Sequence, residues 1–282
     1  MGIYFFGQTL GVKSCLHGHF NIGLKRLLLP VNYWRYPVFR HIDQFFNNSK
    51  QLKVLDIGSP KLLAVYLAVK RKHRVYATDI QDQTIFTVWN TYYRDIQNNG
   101  SNGSAGYIAD LQDARDLKYE NDEFDIVYSV SVIEHIPDHG DSEAMQEIHR
   151  VLKPGGLAII EVPYALKTHE TVKNTDVYER QFNGEPVFYQ RHYDEETLRS
   201  RLIEPSKLKL VEKVILGERL PFEDLYESFP VFGKLLFFPF EALISVLNHK
   251  KIDEQQRQKD SARDFKRAMD VTLILQKNQG GA

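Results

Sequence analysis

Three aspartates stand where apolar runs end: Asp56 in "VLDIG", Asp79 in "YATDI" and Asp110 in "GYIAD". A carboxylate so placed accepts charge-assisted hydrogen bonds from paired hydroxyls or from an amino group. Any one of them could be only a turn residue closing a strand; three in succession point to a binding crevice. Gly58 follows the first and lets backbone approach a ligand with no side chain between. His135, in "IEHIP" after a fourth apolar run, is an imidazole able to take a proton from a nucleophile or to hold it by a hydrogen bond. Its other reading is a loop histidine satisfied by its neighbours. His192 and Tyr193 in "VFYQRHYDEE", with Tyr164, are further candidates, unless they are aromatic packing under a lid.

The loop after Asp56 reads Gly58, Ser59, Pro60, Lys61, Leu62. It lacks the repeated glycines of a dinucleotide loop, yet serine caps helices well and proline is favoured at the first helical position. Lys61 is then either a solvated lysine at a helix start or a cation for the anionic end of a ligand. The chain has no phosphate-loop glycine-lysine pattern and no serine nucleophile elbow. "HGH" at 17 to 19 has no third ligand in sequence reach, so no metal is expected.

The elements that must hold these residues alternate. "LKVLDIG", "HRVYATDI", "GYIAD", "FDIVYSVSVIEHI" and "LAIIEVPY" read as strands, with helices over "PKLLAVYLAVKRK", "TIFTVWNTYYRDIQNN" and "SEAMQEIHRVL". Asp141 or Ser142 is expected to cap the last of these, and "KPGG" to stop it. Such alternation predicts a parallel sheet covered on both faces. After the fifth strand come an insertion, a helix opened by Asp194 in "DEETLRSRL", and two strands, "LKLVEKVILGE" and "DVTLILQKN", expected as an antiparallel pair closing the sheet.

Composition narrows the function classes. With 282 residues, 43% of them hydrophobic, the chain can bury a sizeable core. A formal net charge of -1 offers no basic field for nucleic acid. The single cysteine, Cys15, forms no internal disulfide, which suits a reducing, cytoplasmic setting; no secretory leader pattern is read at the start.

In their order, "VLDIG", "YATDI", "YIADLQDARDL", "FDIVYSVSVIEHI" and "RVLKPGGLAIIEVP" resemble the class I S-adenosylmethionine-dependent methyltransferases, particularly the group with small-molecule acceptors. The resemblance covers roughly residues 50 to 218 and the final strand. It implies a doubly wound, mostly parallel α/β sheet of seven strands with the last antiparallel, and S-adenosylmethionine as cofactor. It implies that Asp56, Gly58, Ser59 and Lys61 meet the methionyl end, Asp79 and Ile80 the ribose, and Asp110 and Leu111 the adenine, with Ser129 and Val130 beneath. His135, His192 and Tyr193 would then line the acceptor side. The expected division is an N-terminal helical cover, 1–49, and a methyltransferase domain, 50–282, with insertions at 165–193 and 219–268. The expected acceptor is a small or lipid-like molecule methylated on oxygen or nitrogen. A non-catalytic module with the same fold is the rival reading; an NAD-dependent oxidoreductase is a more distant one. The apolar stretch 229–251, ending in Lys250 and Lys251, is expected either to touch a membrane surface or to form core packing or a homodimer interface.

Overall fold

The structure, a computed structural model, describes residues 2–16, 18–47, 50–80, 106–175, 184–220, 222, 226, 228–229, 237, 240–252 and 268–279. The apolar runs form strands that end on the acids. β1 is Lys53–Ile57, β2 Arg74–Asp79, β3 Gly106–Leu111, β4 Phe124–Val130 and β5 Leu152–Pro163. β6 (His169–Lys173) and β7 (Val187–His192) pair only with each other, whereas β8 (Lys209–Glu218), β9 (His249–Ile252) and β10 (Ala268–Gln276) extend the main sheet.

The order across that sheet is β3-β2-β1-β4-β5-β10-β8-β9. The first five strands are parallel; β10 lies antiparallel between β5 and β8, and β9 runs antiparallel to β8. The main sheet therefore has eight strands where seven were expected, β9 being an added edge. Successive residues of β1 point to opposite faces: Val54 joins one apolar cluster and Leu55 the other.

The helices cover both faces. α1 (Gly2–Leu16), α2 (Phe20–Leu28), α3 (Arg35–Asp43) and α4 (Leu62–Val69) lie in chain order; Ile3, Phe6, Leu10 and Ile42 share a core with Leu63, Leu67 and Val54. α5 (Gly140–Val151) packs Met145, Ile148 and Val151 into the other core. A helical run over 195–206 (α6), π-helical in the middle, is capped by Asp194, whose carboxylate accepts from Thr197 N at 2.9 Å. α7 is Glu241–Asn248.

Two expectations about helix starts are corrected. α4 begins at Leu62, beyond Ser59 and Pro60, because the Ser59 hydroxyl is used elsewhere: it accepts from Val130 N at 2.9 Å. α5 begins at Gly140, so neither Asp141 nor Ser142 is its cap. The Asp141 carboxylate is instead held by Arg191, Arg201 and the Tyr193 hydroxyl. The helix expected over 84–99 falls on residues outside those described.

Candidate active site

The parallel strands direct their carboxyl ends to one edge, the usual place for a ligand in a doubly wound sheet. Asp56 precedes the last residue of β1 and is fully buried. Its Oδ1 accepts from Ser59 N at 3.1 Å, which folds the loop back on the strand. Gly58 has a φ of +65°, and a Cβ there would meet Val132 Cγ1 at 2.6 Å. Glycine is thus required twice, by conformation and by the close approach of Val132. Ser129 and Val130 are buried under this loop, the Ser129 hydroxyl donating to Ile57 O at 3.1 Å.

Lys61 is not solvated. It is only 4% exposed, and its Nζ donates to Thr78 O at 2.9 Å while lying 3.5 Å from Asp56 Oδ2 and 3.6 Å from Asp79 Oδ2. The ammonium bridges two of the three acids. Burial raises the Asp56 pKa to about 6; Lys61 and the Ser59 hydrogen bonds oppose that rise.

Asp79 ends β2 and pairs in register with Leu111, as Thr78 does with Asp110. Ile80 and Leu111 are apolar yet about half exposed, at 52% and 51%. The Asp110 Oδ2 accepts from Gln112 Nε2 at 2.5 Å and from the Tyr119 hydroxyl at 3.2 Å. Two carboxylates beside two uncovered aliphatic side chains suit a nucleoside, with hydroxyls and amine at the acids and the ring between the aliphatics.

The ends of β4 and β5 carry a second polar group. His135 sits in a short 3-10 turn, Ile133–His135, after β4. Its Nδ1 donates to Tyr189 O at 2.7 Å, and Nε2 lies 3.6 Å from Glu134 Oε1. Burial lowers the His135 pKa, so the ring is neutral near pH 7 with the Nε2 lone pair available. Glu134 and Glu161 are both buried, and desolvation raises both pKa values, each with an oxygen that accepts no hydrogen bond. Arg35, from α3, reaches in to donate to Ser131 Oγ at 2.5 Å and lies 3.5 Å from Glu161 Oε2. Ser131 itself has a left-handed backbone, φ 48°, a strain that tends to be kept at working sites. Arg35 and Glu161 were not singled out from sequence; the signal was a single acid inside the apolar run "LAIIEVP".

One candidate does not face this edge as expected. Tyr193 is fully buried and its hydroxyl donates to Asp141 at 2.9 Å, so it anchors the start of α5 and not a substrate. His192 stacks on His169 with centroids 4.3 Å apart, and its Nε2 lies 2.8 Å from Gln190 Nε2. Tyr164 is buried as well. Among the described residues no cluster of His, Cys, Asp and Glu could hold a metal ion, and no helix is long and apolar enough to cross a membrane.

A parallel sheet with an antiparallel strand let in beside β5 and acids at the ends of β1 to β3 defines a class of fold and site. Residues 55–160 match the model of a family described as a methyltransferase domain. Solved structures agree at low identity. A S-adenosylmethionine-dependent methyltransferase from Methanosarcina mazei aligns with a TM-score of 0.51 at 14% identity, over 84% of this chain and 97% of that one. The [4+2]-cyclase SpnF aligns at 0.54 and 14%, over 87% and 81%. The phosphoethanolamine N-methyltransferase 2 of Haemonchus contortus, solved with S-adenosylmethionine, aligns at 0.50 and 18%, over 86% and 53%. A search among curated proteins finds no significant relative. Residues 55–160 thus match a methyltransferase domain, and the chain shares the fold of solved S-adenosylmethionine-dependent methyltransferases.

Proposed function

We propose that this protein transfers a methyl group from S-adenosylmethionine to an oxygen or nitrogen of a small or lipid-like acceptor. The observation that carries the reading is the gathering of Asp56, Asp79 and Asp110 at one sheet edge, next to the His135, Glu134 and Glu161 group. The cofactor supplies a methyl carbon already activated by a sulfonium. Asp79 would hold the ribose, Asp110 the adenine amine between Ile80 and Leu111, and the loop at Gly58 the methionyl end. What the chain contributes is alignment and exclusion of water. His135 Nε2 can take the proton of an acceptor hydroxyl or amine, while the Tyr189 carbonyl fixes its tautomer. Glu161, with Arg35 beside it, and Glu134 supply polar groups on the acceptor side.

One observation favours a second reading, a module that keeps the fold without turnover: the Lys61 ammonium stands against the acid a ribose would use. Calorimetric titration with S-adenosylmethionine and its demethylated product, with NAD as control, separates the two. Micromolar binding lost in Asp79→Ala supports the enzyme, and a screen with labelled methyl groups then seeks the acceptor, with His135→Ala expected to lose turnover at unchanged cofactor affinity. No binding by a folded protein, alone and with candidate acceptors present, favours the module.

A further inference from the structure

A cavity of about 300 Å³ lies at the opposite end of the sheet from the nucleoside edge, between α3, β8 and the α7–β9 segment. Its walls include Arg40, His41, Gln44, His249, Lys250 and Lys251. No carboxylate is among its described lining residues; Glu212 lies 3.9 Å from Lys251 in a pair whose side chains are 44% and 62% exposed. Such a solvated pair is weak and leaves the lysine available to a stronger anion. The chain as a whole carries a formal charge of -1, so this concentration of cationic and imidazole groups is local.

The buried wall adds an independent observation. His41 is 93% buried by its 7% exposure, and Gln44 Nε2 lies 2.6 Å from its Nδ1. With the amide donating to Nδ1, the proton of the neutral ring is on Nε2. That N–H is buried and has no acceptor among the described residues. An orphaned buried donor is costly, and this one belongs to a residue of the cavity lining.

We infer that this cavity is a binding site for a phosphate group, held by the exposed cations Arg40 and Lys251 of its lining. Guanidinium and ammonium groups in one concave site are the usual means of holding phosphate oxygens. The flank suggests how the phosphate would be carried. Val246 lines the cavity, and it is exposed together with Leu243 and Leu247 on α7. A basic cavity beside uncovered aliphatic side chains matches the headgroup and upper chains of an anionic phospholipid. A free phosphorylated molecule shares the anionic part of that chemistry.

The full chain would be titrated with inorganic phosphate by calorimetry and mixed with vesicles of phosphatidylcholine with and without 30% phosphatidylglycerol, a composition on the order of anionic leaflets. Arg40→Ala/Lys251→Ala removes two exposed cations without touching the core; Lys209→Ala, an exposed lysine at the far end of β8, is the control. Saturable binding of phosphate or of the anionic vesicles, weakened at least about tenfold in the double variant and unchanged in the control, is the expected result. Vesicle binding that also falls in Leu243→Ser/Leu247→Ser assigns the phosphate to a lipid headgroup; phosphate binding without vesicle binding assigns it to a free ligand. Absence of binding in both arms, or equal loss in the control, overturns the site. Since the probes carry no methyl donor, the outcome is independent of whether the chain methylates anything.

Discussion

Replacing Lys61 by methionine tests the electrostatics of the first loop. At 3.5 Å from Asp56 and with an effective dielectric of about 20, the attraction is on the order of 5 kcal/mol. The loss of stability at pH 7 should be much smaller. Asp56 has a pKa of about 6, so its neutral form lies only about 1 kcal/mol above the charged one at pH 7. Without the ammonium the carboxyl takes up a proton, and the cost through Asp56 cannot exceed that gap. The lost hydrogen bond to Thr78 O adds about 1 kcal/mol, and Asp79, 17% exposed at its side chain, is hydrated in compensation. The sum is about 2 kcal/mol at pH 7. The sign with pH follows from linkage. In the wild type, the folded state holds the extra proton between the unfolded value of 3.8 and about 6. In the variant that window extends upward, so stability keeps falling above pH 6 by about 1.4 kcal/mol per unit. Urea denaturation of both proteins at pH 5, 7 and 9 should show a difference that grows with pH. A difference of about 5 kcal/mol that is flat across that range would mean that Asp56 stays charged when buried alone, and would refute the reasoning.

Gly58→Ala should destabilise by about 2 to 4 kcal/mol, from the left-handed backbone and the 2.6 Å approach of Val132; a loss below about 0.5 kcal/mol in chemical denaturation would contradict it. Asp141→Ala leaves Arg191, 5% exposed at its side chain, short of its closest buried partner, and should cost about 3 to 5 kcal/mol, measured the same way. Glu134→Gln should flatten the pH dependence. The folded Glu134 pKa lies well above 4.5, so wild-type stability falls as pH rises from 4.5 towards that value. The amide does not titrate and should lose less stability between pH 5 and pH 8; parallel profiles for the two proteins would exclude a buried neutral Glu134.

The strands were legible because each apolar run closes on an acid: Asp79 ends β2, and Asp56 and Asp110 are the penultimate residues of β1 and β3. The order of the resembling segments fixed the parallel part of the sheet for the same reason. β9 was not legible. His249, Lys250 and Lys251 carry no alternation, and the strand exists through backbone pairing with β8 on one side only. The role of Lys61 was hidden because a lysine is buried only when acids from other segments converge on it; Asp79 is eighteen residues away in the chain and meets it through the pairing of β1 with β2. Tyr193 looked like a candidate by its neighbours in "RHYDEE", yet its hydroxyl was committed to Asp141, 52 residues earlier. Local pattern reports which residues could act; the long-range pairings decide which are already occupied.

The position of β10 has a consequence for biogenesis. It is the last strand in the chain but lies inside the sheet, hydrogen-bonded to β5 on one side and β8 on the other. While the polypeptide is emerging from the ribosome, β1 to β5 can assemble and β8 can meet β9, but among the described residues no other strand pairs β5 with β8. Both carry an unpaired edge until residues 268–276 appear, and such edges are templates for wrong association. The late segment acts as a keystone, so a nascent chain stalled before residue 268 should be the species that most needs chaperone protection.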